Sequence, residues 1–231
     1  MLEKLFSEFD SVVVLDTETT GVFCRSDEII ELAALRAEKT EAGYSVAETM
    51  DEFIRLSPGR SIPPQIVRLT GITQQMVDED GISKQQAAEQ FAALLSHGKT
   101  LVVAYNAQFD LCFLFFFLQK LGLADCLKGI SMLDAMTVYK DRREYPHKLC
   151  NAVDAYQLQT QNTHRAIDDA MATLELLEAM EREKDDLHRY VNLFGFSPKY
   201  GVSGPRIHSV TYLPQDYLRT CPLYEKLPAY L

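Results

Sequence analysis

The stretch VVVLDTETTG at residues 12–21 constrains the fold more than any other part of the chain. Its first four residues, Val12, Val13, Val14 and Leu15, are apolar without alternation. A strand with one wet face alternates, whereas a strand covered on both faces does not. Residues 11–16 are therefore expected to form a central strand. This strand delivers Asp16 and Glu18 to its end. Residues i and i+2 share a side of a strand, so the two carboxylates should lie close together while Thr17 points away. Two acids at the edge of a low-dielectric core repel each other and are costly to desolvate unless a cation or proton lies between them. The competing reading is a polar strand end, in which Asp16 or Thr19 caps a turn and Gly21 supplies a positive φ. On this stretch alone the two readings are level.

A chain of 231 residues makes one large or two small domains, and 47% hydrophobic content is ample for a core. The N-terminal MLEKLFSEFD mixes charges into its apolar residues and lacks the core of a secretory signal. The longest apolar run, residues 111–118, is far too short to cross a bilayer, so no membrane association is expected. Five cysteines (Cys24, Cys112, Cys126, Cys150, Cys221) are odd in number and lack metal-ligand spacing, which argues against zinc and for reduced thiols in a cytoplasmic protein. The formal charge of −10 argues against a broad grip on duplex phosphates. It leaves room for a small nucleic-acid site that carries its own cations.

Along the chain, strands are expected at residues 11–16, 28–36 and 44–56, with TEAG as the turn between the last two. PPQIVRLTG can hold one short helix opened by proline and closed by Gly71. Residues 83–95 show helical spacing, and TLVVA at residues 100–104 reads as a strand. Residues 107–121 form a helix apolar on nearly every side, which favours burial over a partner surface. A last strand at residues 131–134 precedes helices near residues 148–157 and 167–183. The sum is an α/β fold, a mixed sheet in the order β-β-β-α-β-α-β-α with helices on both faces.

Two further acidic sites lie at helix starts. Asp110 opens the Phe-rich helix, and His164 precedes a helix that begins with Asp168 and Asp169. Each alone is explained by the helix dipole. Together with Asp16 and Glu18 they are placed as a fold places ligands for a divalent metal, drawn from distant segments. Helix phase separates the two aspartates. At about 100° per residue, Ile167, Ala170, Met171, Leu174, Leu176, Leu177 and Met180 share a buried arc. Asp169 falls on its edge, and Asp168 falls opposite with Glu175 and Arg182.

Three motifs carry a resemblance. The first is D-x-E-T-T-G at Asp16, Glu18, Thr19, Thr20 and Gly21. The second is YNAQFD, with Asn106, Ala107, Phe109 and Asp110 in place and Tyr105 where His is usual. The third is H-x-x-x-x-D-A at His164, Asp169 and Ala170. With LTGIT at residues 69–73 and HKLCNAV at residues 147–153, they resemble the DEDDh (DnaQ-like) 3'-5' exonucleases, the family of the proofreading epsilon subunit of bacterial DNA polymerase III and of ribonuclease T. The similarity covers roughly residues 10–182.

The resemblance implies a ribonuclease-H-like fold and release of nucleoside 5'-monophosphates from a nucleic-acid 3' end, DNA before RNA. It implies two divalent cations, Mg²⁺ or Mn²⁺, about 3.5–4 Å apart and held by Asp16, Glu18, Asp110 and Asp169. His164 is then the general base for water, since imidazole titrates near neutrality without replacing a ligand. Thr19, Thr70, Asn106 and Phe109 are expected to contact the terminal nucleotide, Phe109 by stacking. Arg165 and the basic stretch KDRREYPHK are weaker candidates for phosphate contacts.

Alternatives differ in class. A haloacid-dehalogenase-type phosphatase needs D-x-D-x-T and leaves His164 without a role. An RNA-trimming exoribonuclease of the same family is open, because one or two contacts to a 2'-hydroxyl decide the sugar. A degenerate, non-catalytic module associated with a polymerase normally lacks an acid, and here none is missing. The expected division is an exonuclease domain at residues 1–183 and a C-terminal extension at residues 184–231. The extension either docks on a partner such as a DNA polymerase subunit or folds back; the alternation of IHSVTYL suggests a short strand and favours folding back.

Overall fold

The computed structural model describes residues 1–160, 163–197, 201–215 and 221–226. The apolar run lies in β1 (Ser11–Thr19), the middle strand of a five-stranded sheet with β2 (Ile29–Thr40), β3 (Gly43–Phe53), β4 (Thr100–Ala104) and β5 (Ser131–Asp134). The strand order is β3-β2-β1-β4-β5, antiparallel on the β2 and β3 side and parallel on the β4 and β5 side. Eight helices complete the described fold: α1 (Glu3–Glu8), α2 (Pro64–Thr70), α3 (Gln74–Asp80), α4 (Lys84–Leu95), α5 (Ala107–Lys120), α6 (Ala135–Arg142), α7 (Leu149–Tyr156) and α8 (Ala166–Glu183).

The lack of alternation in β1 has its cause in two cores. Val12 and Val14 cluster with Ala152, Leu176 and Leu177 of α7 and α8. Val13 and Leu15 cluster with Phe91, Leu111 and Leu114 of α4 and α5. All four β1 side chains are buried, each contributing roughly 1.5–3 kcal/mol from area removed from water. Even-numbered positions of β1 thus face α8, and odd-numbered positions face α5.

Several elements depart from expectation. β1 continues to Thr19, because β2 pairs with it as far as Thr19↔Ile29, whereas the β4 pairing ends at Val14↔Val103. Asp16 and Glu18 therefore lie inside the strand, at a strand end on one side only. Gly21 does not take a positive φ; instead, a Cβ there would overlap the Asp27 carboxylate, which accepts a hydrogen bond from Phe23 N at 2.8 Å. Gly71 does close α2 in the left-handed region, with φ 73°. Met171 is exposed, since α8 packs on β1 and β2 and leaves this side chain over the margin of the sheet. In α5, Leu111, Cys112, Phe113, Leu114 and Leu118 are buried, while Phe115, Phe116 and Phe117 are only half-buried.

In the extension, IHSVTYL forms no strand. A turn at residues 208–210 places Ile207, Val210 and Tyr212 in the core in place of a pleat. The paired segments are instead β6 (Phe196–Ser197) and β7 (Gly201–Val202). Described residues of the extension pack on the rest of the chain: Gln108 Nε2 donates to Pro205 O at 2.9 Å, and Tyr224 Oη donates to Asp186 at 2.6 Å. Among the described residues, no helix is long and apolar enough to cross a membrane.

Candidate active site

Three segments meet at the C-terminal half of β1. Asp16 and Glu18 share the face that α8 covers, and Asp169, in the first turn of α8, is 5% exposed beside them. Asp110, in the first turn of α5, arrives from the other face and is 3% exposed. Thr17 points away from Asp16 and Glu18, toward α5, as alternation requires, and there its hydroxyl donates to Asp110 Oδ1 at 2.7 Å. The odd residue of the first motif thus orients the acid of the second.

Electrostatics mark these acids as a group. Burial, then the charges of Asp110, Asp169 and Glu18, push Asp16 well above the usual carboxylate range. Burial and the charges of Asp169, Glu31 and Asp110 push Glu18 up to about 8, against a smaller opposing effect of Arg165. Asp110 is pushed up to about 7, again first by burial, although the Thr17 hydroxyl and backbone amides favour its ionised form. Acids that burial and one another hold protonated near neutrality lack compensating positive charge.

His164 is exposed and precedes α8 with φ 59°, a left-handed conformation uncommon for a residue with a Cβ. Its ring nitrogen and one carboxylate oxygen each of Glu18 and Asp169 all lie within 4.8 Å of one another. Two carboxylate oxygens and an imidazole nitrogen in this space are a donor set that can hold a divalent metal ion. Of the expected ligands, Glu18 and Asp169 fall in that group, and Asp16 and Asp110 join through their mutual charge effects. Asp168 is directed elsewhere, accepting from the Thr163 hydroxyl at 2.5 Å, and Thr163 N donates to Asp169 Oδ1 at 3.2 Å.

The remaining candidates divide. Asn106 is exposed at φ 71°, its backbone held by donation to Asp134 Oδ1 at 2.9 Å. Phe109 is half-buried, its ring 4.9 Å from that of Phe113. The Thr19 hydroxyl donates to Gly21 O at 2.6 Å, shaping the turn after β1. Thr70 is buried; its hydroxyl donates to Ile66 O and accepts from Ile72 N, both at 3.0 Å, which finishes α2. The Tyr105 hydroxyl donates to His147 O at 2.9 Å, so this ring anchors the segment before α7.

Arg165 and the two arginines of the basic stretch are engaged within the protein. Arg165 donates to Glu31 Oε1 from Nε at 2.8 Å and Nη2 at 2.6 Å. Arg142 pairs with Asp186 and Glu183, and Arg143 with Glu183.

Glu31 is the residue that sequence reasoning missed. It is fully buried on β2 directly across from Glu18, and its second oxygen accepts from Ala166 N, at the start of α8, at 2.8 Å. One carboxylate therefore ties Arg165 and the first amide of α8 next to His164. Nothing in EIIELAALR distinguishes it; only the register across from Glu18 does. Asp134 was missed similarly. Buried at the N-cap of α6, it accepts from Asn106 N, Met136 N and the Thr137 hydroxyl, and fixes the backbone of the second motif.

The RNase_T family model, described as Exonuclease, matches residues 13–177. The chain is similar to the PolC-type DNA polymerase III of Halalkalibacterium halodurans, 34% identical over 184 residues, covering 78% of this chain and 12% of the relative. It is also similar to the 3'-5' exonuclease DinG of Bacillus subtilis, 35% identical over 181 residues, covering 74% of this chain and 18% of the relative. The chain thus spans less than a fifth of the length of either. Among solved structures it shares the fold of a zinc-bound E. coli ExoI–ssDNA complex, with TM-score 0.66, 20% identity, and coverage of 79% of this chain and 42% of that one. A product-bound exonuclease I gives TM-score 0.65 at 18% identity, covering 79% of this chain and 46% of that one. Five strands in this order, covered on both faces, make the ribonuclease-H-like sheet of those structures. With the acids of three separated segments inside or bordering the matched region, the chain belongs to the exonuclease family that the RNase_T model describes.

Proposed function

We propose that this chain is a metal-dependent 3'-5' exonuclease that releases nucleoside 5'-monophosphates from the 3' end of single-stranded DNA. The observation that carries this reading is the convergence of Asp16, Glu18, Asp110 and Asp169 with His164 at one end of β1, with three of the acids held above their usual pKa and two sharing space with the imidazole. The PolC-type and DinG relatives and the ssDNA-bound ExoI favour DNA over RNA as substrate. Two divalent cations of the Mg²⁺ or Mn²⁺ type, when bound, would neutralise the carboxylates and the scissile phosphate and polarise the phosphoryl oxygen.

The chain's own residues do the rest. Asp16, Glu18, Asp110 and Asp169 would hold the cations, with Thr17 fixing Asp110 and Glu31 fixing the start of α8. His164, exposed at the rim, accepts the proton of the attacking water. The water oxygen bonds to phosphorus as the bond to the 3'-oxygen of the preceding nucleotide breaks, and that oxygen takes a proton from solvent to leave a new 3'-hydroxyl. Asn106 and Phe109 border the terminal nucleotide. Residues 1–183 are the exonuclease domain and residues 184–231 an extension, whose described residues pack against the domain. The free cysteines suit a reducing cytoplasm, and a DNA polymerase is the protein partner that the PolC relatives nominate.

The test is digestion of matched 3'-labelled DNA and RNA oligonucleotides with Mg²⁺, Mn²⁺ or EDTA. Metal-dependent release of labelled mononucleotide, faster from DNA, is expected. Preference for RNA would move the chain to RNA trimming, and no release with either metal would overturn the enzymatic reading.

A further inference from the structure

The C-terminal extension contributes a surface beside the candidate site. A cavity of about 190 Å³ is lined on one side by Val22, which follows the first motif, and by Asn106 and Phe109 of the second. Its other wall is Ser203, Gly204 and Pro205 of the extension. That volume falls below the roughly 300–1,000 Å³ of pockets for whole drug-sized ligands and suits a single planar ring. The lip is apolar: Val22 and its neighbour Phe23 are 70% and 71% exposed. Adjacent exposed apolar side chains at the mouth of a pocket mark a binding surface more than isolated ones do.

Gln108 holds the wall in place. It lies between Ala107 and Phe109 at the start of α5, is 5% exposed, and donates from Nε2 to Pro205 O at 2.9 Å. Its Oε1 accepts from Tyr212 Oη at 2.9 Å, and Tyr212 Oη accepts from Ile207 N at 3.3 Å. Both ends of one buried amide are thus committed to the extension, two residues before Asp110. A buried amide with both functions satisfied is costly to separate from its partners.

Building on the exonuclease reading, we propose that residues 203–205 form one wall of the pocket that receives a base at the 3' end of the substrate strand. Gln108 is the positioning residue that seats this wall. The extension is then part of the substrate site in the same chain. Stacking in such a pocket accepts any base, while the distance of the wall from the β1 end decides how deeply the 3' end enters.

The test uses the full chain in EDTA with a short single-stranded DNA carrying 2-aminopurine at its 3' end or in its interior. The 3'-terminal probe is expected to change fluorescence on binding, and the interior one is not. Ser203→Trp, an exposed position that fills the pocket, and Gln108→Leu are each expected to weaken binding of the 3' end about tenfold. With Mg²⁺ they should raise KM more than they lower kcat. Because Gln108 is buried, Ser203→Trp keeps the test decisive if Gln108→Leu fails to fold. Ser203→Trp with wild-type affinity and KM, or equal response of the interior probe, overturns the proposal while the exonuclease reading stands. A wild-type chain that neither binds nor degrades the DNA overturns both.

Discussion

Two groups of carboxylates in this chain are held in opposite electrostatic states. Where α6 meets the end of α8, Asp186 accepts from Arg142 at 2.5 Å, Tyr224 at 2.6 Å and Lys184 at 3.0 Å. Burial alone would raise its pKa, but these hydrogen bonds and charges hold it below the ordinary carboxylate value, and Glu183 behaves alike. At the other end of α8 and along β1, burial and mutual repulsion raise Asp16, Glu18 and Asp110. The nearest strong cation, Arg165, is committed to Glu31. The first group is complete within the protein, and the second is complete only with added positive charge. Carboxylates of one chain thus have their charge offset by nearby cations in one place and by none of comparable strength in the other.

Removing an acid should therefore have opposite consequences in the two regions. The largest effect is expected at the group along β1: Asp16→Ala, Glu18→Gln or Asp169→Asn lowers mononucleotide release by about 10⁴-fold or more, while the metal-free fold is kept or strengthened. Single-turnover digestion and thermal melts in EDTA check both halves. Wild-type turnover in any of the three at saturating Mg²⁺ would break the comparison. His164→Ala should lower kcat by roughly 10²–10⁴-fold and flatten the acidic limb of the pH–rate profile. An unchanged profile would return His164 to an ordinary surface role.

At the paired group the loss is in stability. Asp186→Ala takes from the Arg142 side chain, 8% exposed, the closer of its two carboxylate partners, leaving Glu183, and should cost about 1–3 kcal/mol of folding stability, read by denaturant unfolding, with kcat maintained. The smallest effect is expected from Asp168→Asn, a change in kcat of less than about tenfold. Larger loss there than in Asp169→Asn would show the phase of α8 to be misassigned.

The sequence made the site legible where chemistry and periodicity coincide. The unalternated run at residues 12–15 implied the two-sided core, and the phase of α8 put Asp169, not Asp168, at the buried edge. Three short helices were not legible: α1, α3 and α6 span 6, 7 and 8 residues, too few turns for an apolar stripe to stand out, whereas α2, equally short, was marked by its opening proline and Gly71. Glu31 and Asp134 were missed for a different reason, because their partners are 134 and 28 residues away along the chain and only strand register and helix packing bring them together. The alternation of IHSVTYL misled because a turn, and not a pleat, spaces its buried side chains.

Stability against pH, with and without metal, tests the central claim most directly. An acid whose pKa is raised on folding binds more protons folded than unfolded, so its contribution falls as pH rises through the window between the unfolded value near 4 and the folded value. Asp186 and Glu183, with lowered pKa values, contribute fully above that unfolded value and lose their contribution only in more acidic solution. From pH 5 to 8 in EDTA, the account predicts that unfolding free energy declines, chiefly through Asp16, Asp110 and Glu18, the last raised to about 8. Glu18→Gln should make the decline shallower, and Mn²⁺ should abolish or reverse it in the wild type. A metal-free stability that is flat or rises over this range, or that Mn²⁺ leaves unchanged, would contradict the account.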